Sequence, residues 1–199
     1  MPRKPSIETR NRILEVVIVL LRGQDFPQIT TRQIASEAEI SEATLFRYFP
    51  CKDDIMTAVV EQLAQDFFSR YASILEVISN PLERLRALSR LQAAFAFENR
   101  DAVRAMEREI TFERTLSRAL LYQHRRHLSI VEELISECVE EGSFKLNLDT
   151  RSSALAFNAC CSTTLKEEWL YETVHETSSD FQKRSDVFFE ILLAGLLAD

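Results

Sequence analysis

Glycine and proline are scarce in this sequence. Only 3 of its 199 residues are glycine and 5 are proline, whereas average usage is roughly 7% and 5%. Three isolated glycines are too few for a glycine-rich phosphate-binding loop of the G-x-G-x-x-G or G-x-x-x-x-G-K type. Proteins built from many short strands need a turn about every 8–12 residues, so the shortage of turn residues also argues against a β-sandwich or barrel. The composition therefore predicts long helices.

A membrane-spanning run, a secretory leader and paired cysteines are also missing. The best apolar stretch, residues 187–198, is short and contains Glu190, whereas a spanning helix needs about 20 apolar residues. The basic first residues are not followed by an apolar segment, so we expect no signal peptide. None of the four cysteines has C-x-x-C spacing, which favours reduced thiols in a cytoplasmic protein with no membrane partner.

Positive charge is in the minority, but it is not evenly spread. The formal net charge is −7, which by itself disfavours binding to a polyanion. The first 50 residues nevertheless hold seven Lys or Arg against six Asp or Glu. A small basic surface at one end of an acidic chain is therefore compatible with the sequence.

Apolar residues recur every three to four positions along most of the chain, and the breakers fall between these segments. The pattern predicts about nine helices and no strand, over approximately 7–21, 31–38, 42–48, 52–78, 81–98, 101–113, 116–140, 150–171 and 180–197. Residues whose side chains cap helix starts precede four of them: Ser6, Thr30, Ser41 and Asn80. Gly23 and Gly142 follow two helix ends, where glycine can take the left-handed conformation.

Residues 30–49 have the pattern of two short helices packed across a tight turn. Ala35 is small where the second helix would cross the first, Ile40 fills the turn, and Leu45 closes the inner face. A short helix presented by its N-terminal half fits the major groove of DNA. The pattern by itself leaves a second interpretation open, in which the two helices merely pack within a core.

The stretch from Thr30 to Ile55, TTRQIASEAEISEATLFRYFPCKDDI, resembles the DNA-binding signature of the tetracycline-repressor family of bacterial transcription regulators. The likeness covers about residues 7–58. It implies an all-α fold with an N-terminal three-helix helix-turn-helix domain, residues 1–52. It also implies a C-terminal helical domain, residues 53–199, that binds a ligand and dimerises through its last two helices. No cofactor is implied.

The resemblance also assigns DNA contacts by position in the motif. Arginine can read guanine, aromatic side chains can touch base methyls, and lysine at a helix N-terminus can bind phosphate. The implied contacts are Arg32 to a base edge or phosphate, Phe46 to base methyls or sugar, Arg47 to guanine, Thr44, Tyr48 and Lys52 to phosphates, Glu42 and Ala43 on the same exposed face, and Arg3 and Lys4 in a flexible arm.

Three residues depart from the usual pattern of this family. Glu39 lies in the turn, where the family usually has glycine, and a left-handed non-glycine residue costs on the order of 1 kcal/mol. The turn is therefore either distorted or tolerant of this residue. Glu42 stands where a basic residue is frequent, and it would repel phosphate or accept from a cytosine amine. Cys51 replaces the usual capping serine.

The C-terminal part offers candidates for a ligand pocket and for a subunit seam. The alternative for the first set is an ordinary core, and for the second it is packing within one subunit. The pocket candidates are Phe95, Met106, Phe112, Tyr122, Asn158 and Trp169. The seam candidates are Phe157, Cys161, Leu165, Phe181, Phe188, Ile191 and Leu192.

Two histidines share one predicted helix, at His124 and His127. Their spacing allows a shared metal, but Arg125 and Arg126 lie between them and favour a solvated basic patch. We therefore expect no metal site.

Together these patterns predict a homodimeric repressor of the bacterial cytoplasm, associated with the nucleoid. It would bind double-stranded operator DNA and be released by an unknown small-molecule effector. The alternative is a DNA-bound interaction protein of the nucleoid-occlusion type, which acts on a protein partner. No catalytic constellation is recognisable, so we do not expect an enzyme.

Overall fold

Nine α-helices follow one another along the residues that this computed structural model describes, 6–109, 114–171 and 177–197. The side chains of residues 106–109, 114–117 and 161–171 lie outside that description. The helices are α1 (Ile7–Leu20), α2 (Thr31–Glu37), α3 (Glu42–Tyr48), α4 (Lys52–Val77), α5 (Pro81–Glu98), α6 (Arg100–Glu109), α7 (Arg114–Glu140), α8 (Thr150–Tyr171) and α9 (Ser178–Leu196). The predicted all-α fold is confirmed.

Side-chain caps begin the helices where the sequence predicts them. At α1, α2, α3 and α5 the capping oxygen accepts a hydrogen bond from the backbone N–H three residues later, at Ser6, Thr30, Ser41 and Asn80. Helix α9 begins two residues earlier than predicted, because Thr177 and Asp180 form a capping box. Gly142 has a φ of 80° after α7, as predicted, but Gly23 does not take the left-handed conformation after α1.

The chain forms two compact units that do not follow a single cut in the sequence. The first comprises Met1–Ala64 and Arg100–Leu121, and the second comprises Gln65–Asn99 and Tyr122–Asp199. The predicted domains, 1–52 and 53–199, would instead assign all of α4 after Lys52, and all of α6, to the C-terminal part. The difference arises because apolar side chains at the start of α4 and two alanines of α6 are needed to complete the first core.

The first core is built from α1, the helix pair α2–α3, the start of α4, and α6. Ile13, Leu14 and Val17 of α1 are buried in it, together with Val59 of α4 and Ala102 of α6. Burial of large apolar side chains is worth about 1.5–3 kcal/mol each. This shared core holds α2 and α3 in a fixed mutual arrangement.

The second core is formed within the other unit by the later part of α4 and by α5, α7, α8 and α9. Leu85 of α5, Val131 of α7, Phe157 of α8 and Phe189 of α9 are all buried in it. The rings of Phe157 and Phe189 meet edge to face, with centroids 5.7 Å apart. The described residues of this unit therefore form an all-helical packed core.

Candidate nucleic-acid interface and effector site

The pair α2–α3 is packed as a helix-turn-helix within the first unit. Ala35 and Ala38 of α2 and Leu45 of α3 are buried in the common core. Ile40 is half-buried against the same core. The residues predicted to form the inner face do so, which leaves the opposite face of α3 free to contact a partner.

Glu39 takes the left-handed conformation in the turn, with a φ of 54°. Its N–H donates to the carbonyl of Ser36 at 3.1 Å, and the N–H of Ile40 donates to the carbonyl of Ala35 at 2.9 Å. These two bonds are the pair that defines a regular Schellman end of a helix. The turn is therefore not distorted by the missing glycine; Glu39 adopts the conformation that glycine would take.

The other two departures from the family pattern also have local partners. One carboxylate oxygen of Glu42 accepts a hydrogen bond from the hydroxyl of Thr31 at 2.8 Å, which links the first turns of α3 and α2. The backbone N–H of Cys51 donates to the carboxylate of Asp54 at 3.1 Å, so the start of α4 is capped from inside the helix. Glu42 thus helps to position the helix pair, whatever it contacts on DNA.

The outward face of α3 carries the predicted base-reading residues. Ala43 and Arg47 are exposed, and the ring of Phe46 is 45% exposed. Thr44 is half-buried, and its hydroxyl lies 2.8 Å from that of Ser41. Arg32 on α2 is exposed as well. These side chains combine a cationic fork, an apolar ring and a hydroxyl, which are the groups that read base edges, thymine methyls and phosphates.

Two of the predicted phosphate contacts are engaged inside the first unit. The phenolic oxygen of Tyr48 accepts a hydrogen bond from the backbone N–H of Ser6 at 2.8 Å, and this bond lowers the pKa of Tyr48. The ammonium of Lys52 donates to the carbonyls of Phe26 and Pro27, at 2.5 and 3.1 Å. Both side chains therefore stabilise the fold around the helix pair. Their contacts with phosphate remain a prediction, and Arg3 and Lys4 lie outside the described residues.

The predicted pocket residues do not all lie in the interior of the second unit. Phe95 and Asn158 are buried there. Tyr122 is 66% exposed, so its assignment to a buried pocket is wrong; it lies on the outer side of α7. Phe112 lies outside the described residues, as do the side chains of Met106 and Trp169.

His127 is a buried polar residue that the sequence reasoning placed on the surface. It is 8% exposed, so the expected solvated basic patch is wrong for this residue. Burial, reinforced by the nearby His124, lowers the pKa of His127 to about 4, while Asn158 acts in the opposite direction. The imidazole is therefore neutral at physiological pH. The apolar neighbours one residue and one turn away, Leu128 and Val131, are the signal that could have placed His127 on the inner face.

Two of the residues predicted for the seam on α8 and α9 are not available on the surface of the single chain. Phe157 and Phe181 are buried in the core of their own chain, because aromatic rings on these faces fill the space between the helices. Phe188 and Leu192 are half-buried, and Ile191 is exposed. The side chains of Cys161 and Leu165 lie outside the description. Two apolar residues that the prediction omitted are exposed, Leu155 on α8 and Val187 on α9.

Neither a metal cluster nor a bilayer-spanning segment is found in the part of the chain that the structure describes. No group of three or more His, Cys, Asp or Glu side chains there is arranged to hold a metal ion. None of the described helices combines the length and the apolar character required to cross a membrane.

Comparisons with known proteins match both parts of the chain. Residues 13–59 match the model of "Bacterial regulatory proteins, tetR family", and residues 79–169 match that of "Tetracyclin repressor-like, C-terminal domain". The nucleoid occlusion factor SlmA of Aliivibrio fischeri is 31% identical over 134 residues, which are 67% of this chain and 63% of that protein. The chain thus matches less than two thirds of the length of this curated relative.

Solved structures share the fold along nearly the whole chain. A transcriptional regulator from Saccharomonospora viridis, described as putative and solved in complex with choline, has a TM-score of 0.83 at 21% identity and covers 98% of this chain and 100% of its own. A TetR transcription regulator from Haloarcula marismortui has a TM-score of 0.84 at 17% identity, covering 96% and 99%. At these identities the likeness establishes the fold.

Proposed function

The chain belongs to the tetR family of bacterial regulatory proteins, and on that premise we propose that it is a homodimeric repressor. It binds operator DNA through α3 and is released when a small molecule binds inside the second unit. The family is made up of transcriptional regulators rather than enzymes. Because the proposed ligand is operator DNA, we place the protein in the cytoplasm, at the nucleoid.

The outward face of α3 is the observation that carries the DNA-binding proposal. Arg47 and Phe46 are exposed on a helix whose opposite side is held by buried Leu45. An arginine fork pairs with the O6 and N7 atoms of guanine, and an apolar ring packs on a thymine methyl. The half-buried hydroxyl of Thr44 suits a backbone phosphate. Helix α3 therefore supplies both positioning and reading contacts.

Homodimerisation follows from the way such a helix reads DNA. A single short recognition helix covers a few base pairs, and two-fold related copies read two half-sites about one helical turn apart. Exposed Leu155, Val187 and Ile191 on α8 and α9 support the packing of a second copy against this surface. Two modest half-site contacts in one rigid dimer then bind together far more tightly than either alone.

The effector part of the proposal depends on helices that the two units share. Helix α4 (Lys52–Val77) and helix α7 (Arg114–Glu140) each contribute residues to both units. A ligand that changes the preferred arrangement of the second unit therefore acts on helices that also belong to the first. Ligand and operator then oppose each other, and each lowers the affinity of the other by the same factor.

Operator selection tests the DNA-binding proposal directly. The full-length protein is used to enrich a random duplex library, and the dissociation constant of the enriched sequence is measured by fluorescence anisotropy. Arg47→Ala is expected to weaken binding by about 10- to 100-fold and to relax specificity at one base pair. Arg125→Ala, which removes an exposed arginine of the second unit, is the matched control and keeps wild-type affinity. Equal affinities of the two variants, or no enriched sequence, would contradict the proposal.

A second candidate function is supported by the curated relatives and by a groove in the second unit. The Aliivibrio fischeri relative is named a nucleoid occlusion factor. The groove, of about 490 Å³, has an apolar floor that includes Ile74, Leu91 and Ala94, with Arg86 and Arg90 beside it. An apolar groove with a charged rim suits a short amphipathic peptide. In this candidate function the DNA-bound protein captures a segment of a division protein.

One substitution separates the two candidates. Ala94→Glu places a carboxylate in the groove without touching α3. If the protein acts on division, overproduction of the wild type in its host produces filaments, and Ala94→Glu relieves them while operator binding is unchanged. If the protein is a ligand-responsive repressor, neither form changes cell length, and both repress a reporter placed behind the operator.

A further inference from the structure

Three helices of the second unit bury polar side chains that make no hydrogen bond of regular geometry with the described residues. Ser89 of α5, His127 of α7 and Asn158 of α8 are 1%, 8% and 5% exposed. The hydroxyl of Ser89, both ring nitrogens of His127 and the amide nitrogen of Asn158 make no hydrogen bond of regular geometry, although the side chain of Asn158 lies close enough to the imidazole to act on its pKa. Leaving such a group without a partner destabilises the folded protein, because its hydration is lost and not replaced. Native cores keep few of them without a functional reason or a bound molecule.

Aromatic contacts bring these helices to one place. The ring of Phe67 on α4 lies edge-on to Phe95 of α5, with centroids 5.4 Å apart, and to the imidazole of His127, 5.6 Å away. The side chain of Asn158 faces the same imidazole. The aromatic rings of Phe67 and Phe95 therefore lie beside the polar side chains of His127 and Asn158.

The unpaired atoms offer both donors and acceptors. The amide nitrogen of Asn158 can only donate, and the neutral imidazole of His127 has one donor and one acceptor nitrogen. One turn from His127, the side-chain carbonyl oxygen of Gln123 is buried and unpaired, as is that of Gln92 one turn from Ser89. A ligand with both hydrogen-bond donors and acceptors would pair with more of these atoms than a ligand that has only donors or only acceptors.

Charge complementarity argues against a charged ligand. The buried polar side chains among the described residues are serines, one asparagine and one neutral histidine, so none carries a formal charge. A buried ion without a counter-charge is disfavoured, because it loses its hydration and gains no compensating attraction. The rings that could hold a cation are already occupied on one side, since the guanidinium of Arg70 lies 5.2 Å from the centroid of Phe95 and that of Arg126 lies 3.8 Å from the centroid of Phe68.

We propose that the interior of the second unit binds an uncharged small molecule, with an apolar ring system against Phe67 and Phe95 and a carboxamide-like polar group at His127 and Asn158. This inference rests on the proposed effector control and specifies the chemical class of the effector. The buried polar groups without regular hydrogen bonds in the protein would supply the hydrogen bonds that hold the ligand.

A pair of serine variants tests whether the polar atoms are unsatisfied in the protein without ligand. Ser89→Ala removes an unpaired hydroxyl, whereas Ser153→Ala removes one that donates to the carbonyl of Asp149 at 2.8 Å. Both serines are buried in the same unit. We expect the midpoint of thermal unfolding to rise for Ser89→Ala and to fall for Ser153→Ala. Equal decreases would show that Ser89 is satisfied by the fold and would overturn the proposal.

Three probes on one skeleton test the ligand class. Phenylpropionamide, phenylpropionate and phenylpropylamine differ only in carrying a neutral, an anionic or a cationic polar group at neutral pH. Titration calorimetry with the wild-type protein is expected to show binding of the amide at least about tenfold tighter than that of either charged probe. Asn158→Leu is expected to weaken amide binding by a similar factor. A charged probe that binds as well as the amide, no binding of the amide, or unchanged binding to Asn158→Leu overturns the proposal.

Operator binding measured in the same preparation distinguishes failure of the ligand-class proposal from failure of the proposed DNA-binding function. If the wild type binds its selected operator but not the amide, the ligand class is wrong and the regulator proposal stands. If the amide binds but no operator can be selected, the buried site is correct and the DNA-binding proposal fails.

Discussion

At the scale of single residues, Glu39 shows how a helix pair accommodates an unfavourable side chain. It has a φ of 54°, and its turn keeps both hydrogen bonds of a regular helix end. A left-handed non-glycine residue costs roughly 1–2 kcal/mol because Cβ approaches the following carbonyl oxygen. The first core, with Ala35 and Leu45 buried on either side of the turn, therefore imposes a conformation that the local sequence opposes.

Replacing Glu39 by glycine is expected to stabilise the protein. Glu39→Gly removes the Cβ strain, and after the entropy cost of glycine in the unfolded chain the gain is about 0.5–1 kcal/mol. The measurement is the free energy of unfolding from urea titration. Glu37→Gly, two residues earlier and inside α2, is the matched control and should destabilise by a similar amount. A loss of stability in both variants would contradict the assigned strain.

A second prediction at this scale concerns pH and His127. Burial lowers its pKa to about 4 from an ordinary value of 6.5, so between these values the unfolded chain binds more protons than the folded one. Stability is therefore full above about pH 6.5 and declines as the pH falls toward about 4, by about 2 kcal/mol at about pH 5 for this group.

Urea unfolding at about pH 7.5 and about pH 5 measures this contribution. His127→Gln is expected to remove that part of the decline, because the variant has no buried imidazole to protonate. His124→Gln keeps the buried imidazole and should retain most of the decline. If the wild type and His127→Gln lose equal stability between the two pH values, His127 is not buried in its neutral form.

At the scale of helices, caps decide where the short DNA-reading helix begins. Helix α3 has only seven residues, and a helix of this length has little stability of its own. The hydroxyl oxygen of Ser41 accepts a hydrogen bond from the N–H of Thr44 at 3.1 Å, and the carboxylate of Glu42 is bonded to Thr31. These contacts set the first turn, the part of the helix that we propose enters the major groove.

Removing the Ser41 cap is expected to lower the stability of the protein. Ser41→Ala should cost about 1 kcal/mol of folding free energy, because one N–H at the start of α3 loses its acceptor. Ser41→Asp, which restores an acceptor, should recover most of it. Ser36→Ala, at an exposed position inside α2, is the control and should be near neutral. Thermal unfolding measures the series; a neutral Ser41→Ala would exclude a significant contribution from the cap.

The register of α9 shows why a helix can be predicted while its buried face is not. The buried residues of α9 include Phe181, Ser185, Phe189 and Leu193, a stripe at four-residue spacing that contains a serine. Apolar residues occur on both sides of this helix, since Val187 and Ile191 are exposed. Periodicity alone therefore allowed more than one face, and packing against α5 and α8 selected one of them.

At the scale of the whole molecule, the exposed apolar residues of α8 and α9 bear on assembly. Leu155, Val187 and Ile191 are left without cover in the single chain. Their burial between two copies would remove apolar surface from water at about 25 cal/mol for each Å². The proposed dimer uses these residues in place of Phe157 and Phe181, which already fill the core.

Charge introduced on this surface is expected to break the dimer. Ile191→Asp would bury two carboxylates, one from each copy, at a cost of several kcal/mol. Sedimentation velocity should then show a monomer, and operator affinity should fall because the two half-site contacts are no longer linked. Leu146→Asp, at a position that is also exposed but lies in the segment between α7 and α8, is the control. Circular dichroism checks that both variants stay helical, and a folded Ile191→Asp that remains dimeric would refute the seam.

What the sequence by itself determined is the local structure. Helix starts at Ser6, Thr30, Ser41 and Asn80 follow from side chains that reach backbone groups three residues away. The scarcity of glycine and proline predicted the all-α class, and the signature over Thr30–Ile55 indicated the family. The helix caps depend on residues that are neighbours in the chain, and the composition and the signature are properties of the sequence itself.

Tertiary structure alone decided what depends on residues far apart. The burial of His127, the inward direction of Phe157 and the attachment of Lys52 to the carbonyls of Phe26 and Pro27 required helices from distant parts of the chain to meet. The division into two units did so as well, because α6 fills the first core from a position after residue 99. A pattern of apolar residues shows that a helix has a buried face, but which face and against which partner is decided by the packing of all helices together.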